Sequence, residues 1–397
     1  CQLIKKLRKE KAMDKYYELS ERYLRDLVAI NTVNKPGNEK AAALYISREL
    51  ERYNFKTEIQ EVAEGRANVV ASIGGSSNGN TVIFTGHLDV VPPGENWKSG
   101  DPFTLLEKDG KLYGRGSCDM KGGVSAMMAA AVRLVEENEI HGCELRLVFV
   151  ADEEVDGIGT LHYVASAVPT ERTITVIGEP TMLELDIAHR GVTRFRVVIN
   201  GKQCHSGTPH LGNNAIYAAS RFLLKVEEFD SSRQSMDCGI LPPPNITATL
   251  MNSGIKENVV PGSAEIVLDC RTVPGETAET LGSSLKAILA ELFDGTETTY
   301  SIEDFINVYP SKVEANGRVC TILKQAYRNA FDSEPVVTYF KGCCDMSYFC
   351  KAGFAQTLLC GPGSMDQAHV VDEFISKDQL HRGVDLYTEV YKCARKG

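Results

Sequence analysis

The sequence predicts an α/β fold: an open, mostly parallel sheet with helices on both faces, interrupted by a smaller inserted α+β domain. Three observations carry this expectation. Short runs rich in Val, Ile, Leu and Phe recur at Val82–Thr85, Leu145–Val150, Ile174–Ile177 and Gln356–Leu359. Strands that are apolar on both sides suit a sheet covered on both faces. Helical patterns lie between them, as at Gly123–Glu137, where Met127, Ala130, Ala131 and Leu134 share one side, and such alternation implies crossover connections. Finally, the chain has 397 residues, more than a single core fills efficiently, so two domains are expected.

The elements fall in a definite order. Residues 1–12 carry Lys5, Lys6, Arg8, Lys9 and Lys11 and read as an extension ahead of an amphipathic helix that follows Met13. The first part of the main domain covers 13–189. Within it, Gly74-Gly75-Ser76-Ser77-Asn78-Gly79 reads as a loop between strands. The segment 190–304 has a different pattern. Arg194–Ile199 and Ala264–Val273 read as partly exposed strands, Asn213–Phe229 and Gly275–Phe293 as helices, and Pro242-Pro243-Pro244 as a loop. Residues 305–397 complete the main domain. No internal repeat is present.

Composition excludes several classes of function. A net charge of −10 lacks the clustered basic face that binds nucleic acid. No apolar run approaches the roughly 20 residues that span a bilayer, so no membrane partner is expected. No apolar segment follows the basic N-terminus, which argues against a secretory signal and for a cytoplasmic protein. The 12 cysteines include no Cys-x-x-Cys pair, and in such a setting reduced thiols are expected.

The informative residues stand just past the end of each apolar run. Val82–Thr85 leads into Gly86-His87-Leu88-Asp89, and Leu145–Val150 into Ala151-Asp152-Glu153-Glu154. Ile174–Ile177 leads into Gly178-Glu179-Pro180, and Gln356–Leu359 into a Gly-rich turn and His369. Open α/β sheets bind ligands beyond the carboxyl ends of their strands. Asp119 joins from a loop just before a helix near Gly122. Taken singly, a His or Glu there is a surface group, and Asp119 an N-cap. Together, two His and three or more carboxylates suit a pair of borderline divalent ions, zinc first. Ions roughly 3.5–4 Å apart, bridged by one carboxylate, serve hydrolysis.

These segments also carry a resemblance. Gly86-His87-Leu88-Asp89-Val90-Val91-Pro92, Gly114-Arg115-Gly116 with Asp119-Met120-Lys121-Gly122-Gly123, and Glu153-Glu154 resemble the motifs of the M20 metallopeptidase family, in its acetylornithine deacetylase and succinyl-diaminopimelate desuccinylase group. The resemblance covers nearly the whole chain after Met13. It implies a catalytic domain with an inserted lid and dimerisation domain. It also implies two Zn2+ ions, with Co2+ or Mn2+ as substitutes. His87 and Glu179 would hold one ion, Glu154 and His369 the other, and Asp119 would bridge them. Asp89 would orient the His87 imidazole, and Glu153 would act as general base. The Asp119–Met120 peptide bond is expected to be cis.

Cys204-His205-Ser206-Gly207-Thr208-Pro209-His210, Asn258-Val259-Val260-Pro261 and Asp269-Cys270-Arg271 are similar to the family's lid motifs. They imply that His205 polarises the scissile carbonyl oxygen, often across a homodimer formed through the lid. Arg271 would grip a substrate carboxylate or else pair with a lid carboxylate. Asn258 would add a polar contact. Two features stand apart. Gly342-Cys343-Cys344-Asp345 replaces a common Gly-Thr-Asp, and the stretch Gly361-Pro362-Gly363-Ser364 to Gln367-Ala368-His369 looks closer to acetylornithine deacetylases than to desuccinylases.

The resemblance therefore implies a two-zinc amidohydrolase that removes an N-acyl group from an amino acid. Desuccinylase and M20 dipeptidase or carboxypeptidase are the near alternatives, with an N-acyl amino acid or dipeptide as small-molecule partner. A non-catalytic binding relative would have lost Glu153 or a ligand, and none is lost. A two-metal phosphoesterase would need basic phosphate contacts, and no cluster is evident beyond Arg271 and Lys341.

Overall fold

The structure, a computed structural model, describes residues 2–75 and 79–396, excepting the side chains of residues 2–12. The residues divide into two units. One comprises those up to Ile187, Val313–Phe340 and those from Cys344 onward; the other comprises Ala188–Lys312 with Lys341–Cys343. The second boundary lies later than the expected 304/305. The reason is local: the strand Thr299–Val308 stays paired along Gly191–Asn200 as far as Val308.

Helix α1 (Gln2–Ala29) passes through Met13 instead of starting after it. The reading of residues 1–12 as an extension otherwise lies outside the described residues, as do Ser76–Asn78 of the expected loop. Helix α2 spans Glu39–Glu51 and α3 spans Lys121–Glu136. The main sheet contains β1 (Lys56–Ala63), β2 (Arg66–Gly74), β3 (Thr81–His87), β4 (Glu144–Val150), β5 (Thr173–Pro180) and β6 (Thr357–Gly361).

The strand order is β1-β2-β4-β3-β5-β6. The centre is parallel, with β3 between β4 and β5, and β6 on β5. Antiparallel strands flank it: β1 and β2 on one side, Leu185–His189 beside β6 on the other. Every residue of β5 and β6 is buried, which is why they read as unbroken apolar runs. β1 alternates exposed and partly buried residues and gave no such signal.

Helix α3 is buried all round from Lys121 to Leu134, as a helix apolar on every side must be. Its start is set by glycine. A Cβ on Gly123 would lie 2.3 Å from the Gly178 carbonyl oxygen, and one on Gly361 would lie 2.2 Å from the same atom. The first turn of α3, the end of β5 and the end of β6 thus meet backbone to backbone.

The second unit is an α+β domain. Its sheet runs Asn245–Ser253, Ser263–Thr272, Gly191–Asn200, Thr299–Val308. Phe195, Val197, Ile199, Ile266 and Leu268 on one face pack with Phe222, Leu281, Leu285 and Leu289. Each such buried side chain contributes about 1.5–3 kcal/mol. Asn214 starts the helix Ala215–Arg233 by accepting the Ile216 N–H at 2.9 Å, and Thr277 starts Ala278–Phe293 with a capping box.

Candidate active site

The parallel register brings three strand ends level. His87 pairs with Val150, and Thr85 with Ile177. His87 is the last residue of β3, Glu153 and Glu154 follow β4, and Glu179 closes β5. Asp152 takes a left-handed φ of 71° and turns the chain there. His369, also left-handed at φ 63°, lies in the loop after β6.

The predicted ligands converge on Asp119. Its Oδ1 lies 3.1 Å from His87 Nε2, and its Oδ2 lies 3.4 Å from His369 Nε2. His369 Nε2 is also 3.0 Å from Glu154 Oε2, and His87 Nε2 is 3.8 Å from Glu179 Oε1. One oxygen of Asp119 therefore faces each imidazole. The Asp119–Met120 bond is cis.

The electrostatics are those of a cation site. Asp119 and Glu179 are buried, with Glu153 and Glu154 beside them. Burial raises Glu179 well above the carboxylate range, as do the Asp119 and Glu154 charges. Burial likewise raises Glu153, with Glu179 and Asp345 adding to it. At Asp119 burial is outweighed by hydrogen bonds to His369 and His87, which hold it low. Hydrogen bonds to Asp119 and Glu154 lift His369 to about 10. Four clustered carboxylates are costly unless neutralised. Two divalent cations carry the opposite charge, and the oxygen and nitrogen donors suit zinc. The residues present fit the group.

Asp89 is placed differently from the expectation. His87 Nδ1 lies 3.0 Å from the Asp89 carbonyl oxygen, but 3.6 Å from its carboxylate. The carboxylate instead accepts the backbone N–H of Glu153 through Oδ1 and of Glu154 through Oδ2, both at 3.1 Å. It orders the turn that carries both glutamates, because those two amides lie nearer its oxygens than the ring does.

Three further residues were not singled out from sequence. Asn34 Nδ2 donates to Asp89 at 2.8 Å and to Asp152 at 3.1 Å, and Arg66 pairs with Asp152 and Glu39. Glu373, fully buried, pairs with Arg115 at 2.6 Å. In the departing motif, Asp345 accepts from Thr160 Oγ1 at 2.6 Å. Burial lifts that carboxyl to about 6.

His205, Asn258 and Arg271 belong to the second unit. His205 is exposed, and its Nδ1 accepts the Gly207 N–H at 2.9 Å. In a neutral ring the proton then sits on Nε2, which is left as a donor. Asn258 neighbours it, its carbonyl oxygen accepting the Ser206 N–H at 3.1 Å. Arg271 pairs with a carboxylate of its own unit: Nε donates to Asp269 Oδ1 at 2.9 Å. Asp269 Oδ2 takes Arg194 Nε, also at 2.9 Å.

An α/β sheet with a two-histidine, carboxylate-rich cluster at its strand ends is the arrangement of a metal-dependent hydrolase. The chain belongs to peptidase family M20/M25/M40, whose model matches residues 83–392. It is 30% identical over 395 residues to a Staphylococcus aureus protein described as "Probable succinyl-diaminopimelate desuccinylase", covering 92% of this chain and 95% of that one. It is also 30% identical over 373 residues to an acetylornithine deacetylase of Myxococcus xanthus, covering 90% and 93%. Among solved structures, the aminopeptidase PepT of Bacillus cereus shares the fold at TM-score 0.78 and 18% identity over 95% of this chain and 98% of that one. The Bacillus subtilis YXEP protein, described as a dinuclear metal binding peptidase, does so at TM-score 0.72 and 17% identity over 96% and 98%. Among the described residues no helix is long and apolar enough to cross a membrane.

Proposed function

We propose that the chain removes the acyl group from an N-acyl amino acid, in the manner of an acetylornithine deacetylase, with two zinc ions. The observation that carries this is the placement of Asp119, one oxygen toward His87 and the other toward His369. His87 and Glu179 would hold one ion, Glu154 and His369 the second, with Asp119 shared. When bound, the ions would polarise the amide carbonyl and lower the pKa of the attacking water.

The chain's own residues do the rest. Glu153 takes a proton from the water and returns it to the leaving nitrogen. Asp89 and Asn34 hold the turn from which Glu153 projects. His205 donates from Nε2 to the carbonyl oxygen as charge develops there. Arg271 would reach the free amino acid end with its Nη groups while Nε holds Asp269, and Asn258 would add a polar contact there. Release of succinate in place of acetate is the second reading. It is favoured by the paired guanidinium groups of Arg194 and Arg271 on one carboxylate, which suit a substrate with two acid groups.

The reading includes a homodimer through the second unit. The edge strand Asn245–Ser253 carries no charge and exposes Leu250 and Met251, whereas the opposite edge carries Glu303 and Asp304. Uncharged exposed edges are templates for pairing. A cytoplasmic setting fits the eleven free cysteines among the described residues.

The test is a set of steady-state rates on N-acetyl amino acids, N-succinyl-diaminopimelate and dipeptides, with metal analysis before and after chelation. The expected result is the highest kcat/KM on an N-acetyl amino acid and loss of rate with the metals. Faster release of succinate would establish the second reading. Full activity in metal-free protein would overturn both.

A further inference from the structure

Glu373 touches none of the ligand atoms, yet it meets the segment that carries Asp119 at every turn. Its side chain is fully buried. Oε1 accepts the N–H of Cys118 at 2.8 Å and of Asp119 itself at 3.0 Å. Oε2 accepts the N–H of Gly116 at 2.9 Å and Arg115 Nη1 at 2.6 Å. The Glu373 carbonyl oxygen accepts the Gly114 N–H at 3.0 Å. An irregular stretch buried away from water needs partners for its amides, and this one carboxylate supplies three.

Arg115 extends the contact. Its Nη2 donates to the carbonyl oxygens of Pro93 at 3.2 Å and Val370 at 3.1 Å. Pro93 lies in the segment just after His87 and Asp89. Val370 adjoins His369. The pair Arg115 and Glu373 therefore touches the segment that follows His87 and the loops that carry Asp119 and His369.

We propose that Glu373 is a positioning residue for the metal centre, fixing the Asp119 carboxylate midway between His87 and His369 so that two ions can share it. This rests on the two-metal function proposed for the site. The chemistry requires an anion. Four donors converge on two oxygens, and a neutral amide would turn its NH2 toward N–H groups that cannot accept. A carboxylate one carbon shorter would keep the charge and lose reach.

The test is Co2+ titration of metal-free wild type, Glu373→Gln and Glu373→Asp, followed by the visible absorption of bound Co2+ and by chelator competition. A melting curve is recorded for each apo form. Arg133→Gln is the control for lost stability alone. Its ion pairs with Glu137 and Asp385 lie near the end of α3, about 18 Å along the helix from Lys121. The expected result is two equivalents on wild type and on the control. Both Glu373 variants should bind the second ion about 10–100-fold more weakly, the range typical of residues that orient ligands, with an altered Co2+ spectrum.

Wild-type affinity and spectrum in a folded Glu373 variant, with only a lowered Tm, would overturn the proposal. So would the same loss of affinity in Arg133→Gln. A wild type that binds fewer than two ions would instead remove the two-metal reading itself. Should Glu373→Gln not fold, Glu373→Asp decides on the same criteria.

Discussion

The carboxylate of Asp89 accepts the backbone N–H of Glu153 at 3.1 Å and, through its other oxygen, that of Glu154. Two residues proposed for different tasks, one moving a proton and one holding an ion, are thus set by a single acceptor. Asp89→Asn would oppose one amide with an NH2 group. We expect kcat/KM to fall by about 10–100-fold, together with weaker metal retention. Rates and metal content measured on the same preparation check this; full values for both would place control of the turn elsewhere, at Asn34 or Asp152.

Glu153→Gln keeps the shape of the side chain and removes its ability to take a proton. It should retain both metals and lose about 10²–10⁴-fold in kcat. Metal analysis beside kcat decides the matter, since a near-normal rate with both ions bound would move the base to another group.

Arg271→Ala should lower kcat/KM for a free acid substrate strongly, because charge-assisted contacts contribute roughly 1.5–3 kcal/mol. It should matter little for the corresponding ester. The pairing of Arg271 with Asp269 predicts a modest loss of Tm as well. Acid and ester are to be compared in parallel, and an equal fall in both would make Arg271 a scaffold residue.

The uncharged edge strand predicts a dimer that a charge would break. Leu250→Lys, on the exposed edge strand Asn245–Ser253, should yield a folded monomer by analytical ultracentrifugation. A variant that sediments as the wild type does would move the contact away from this edge.

The parts of the fold legible in the sequence are those whose signal is local. β3, β4, β5 and β6 stand out because burial on both faces demands an unbroken apolar run, and the residues just past them were the natural place to seek ligands. β1 carries no such run, since Lys56–Ala63 mixes polar and apolar residues on a half-covered edge, and in β2 the buried Arg66 and Asn68, with Ser72, interrupt the apolar residues. Glu373 escapes for a different reason. It acts on amides some 250 residues away in sequence, so no spacing announces it. Glu373 stands four residues after His369, the one local hint. Asn34 was hidden in the same way, in a stretch, Asn34-Lys35-Pro36-Gly37, that reads as an ordinary turn.

The contact among Gly123, Gly178 and Gly361 bears on how this site can change over evolutionary time. The gap between the first turn of α3 and the ends of β5 and β6 is set by main-chain atoms alone, which have no rotamers to exchange. A methyl added at Gly123 or Gly361 would have to displace the Gly178 carbonyl oxygen, and with it the strand end bearing Glu179. New substrates would therefore be acquired by altering the surrounding loops or the second unit, while this seam stays closed to substitution. Directed evolution libraries that randomise Gly123 and Gly361 should return glycine at both.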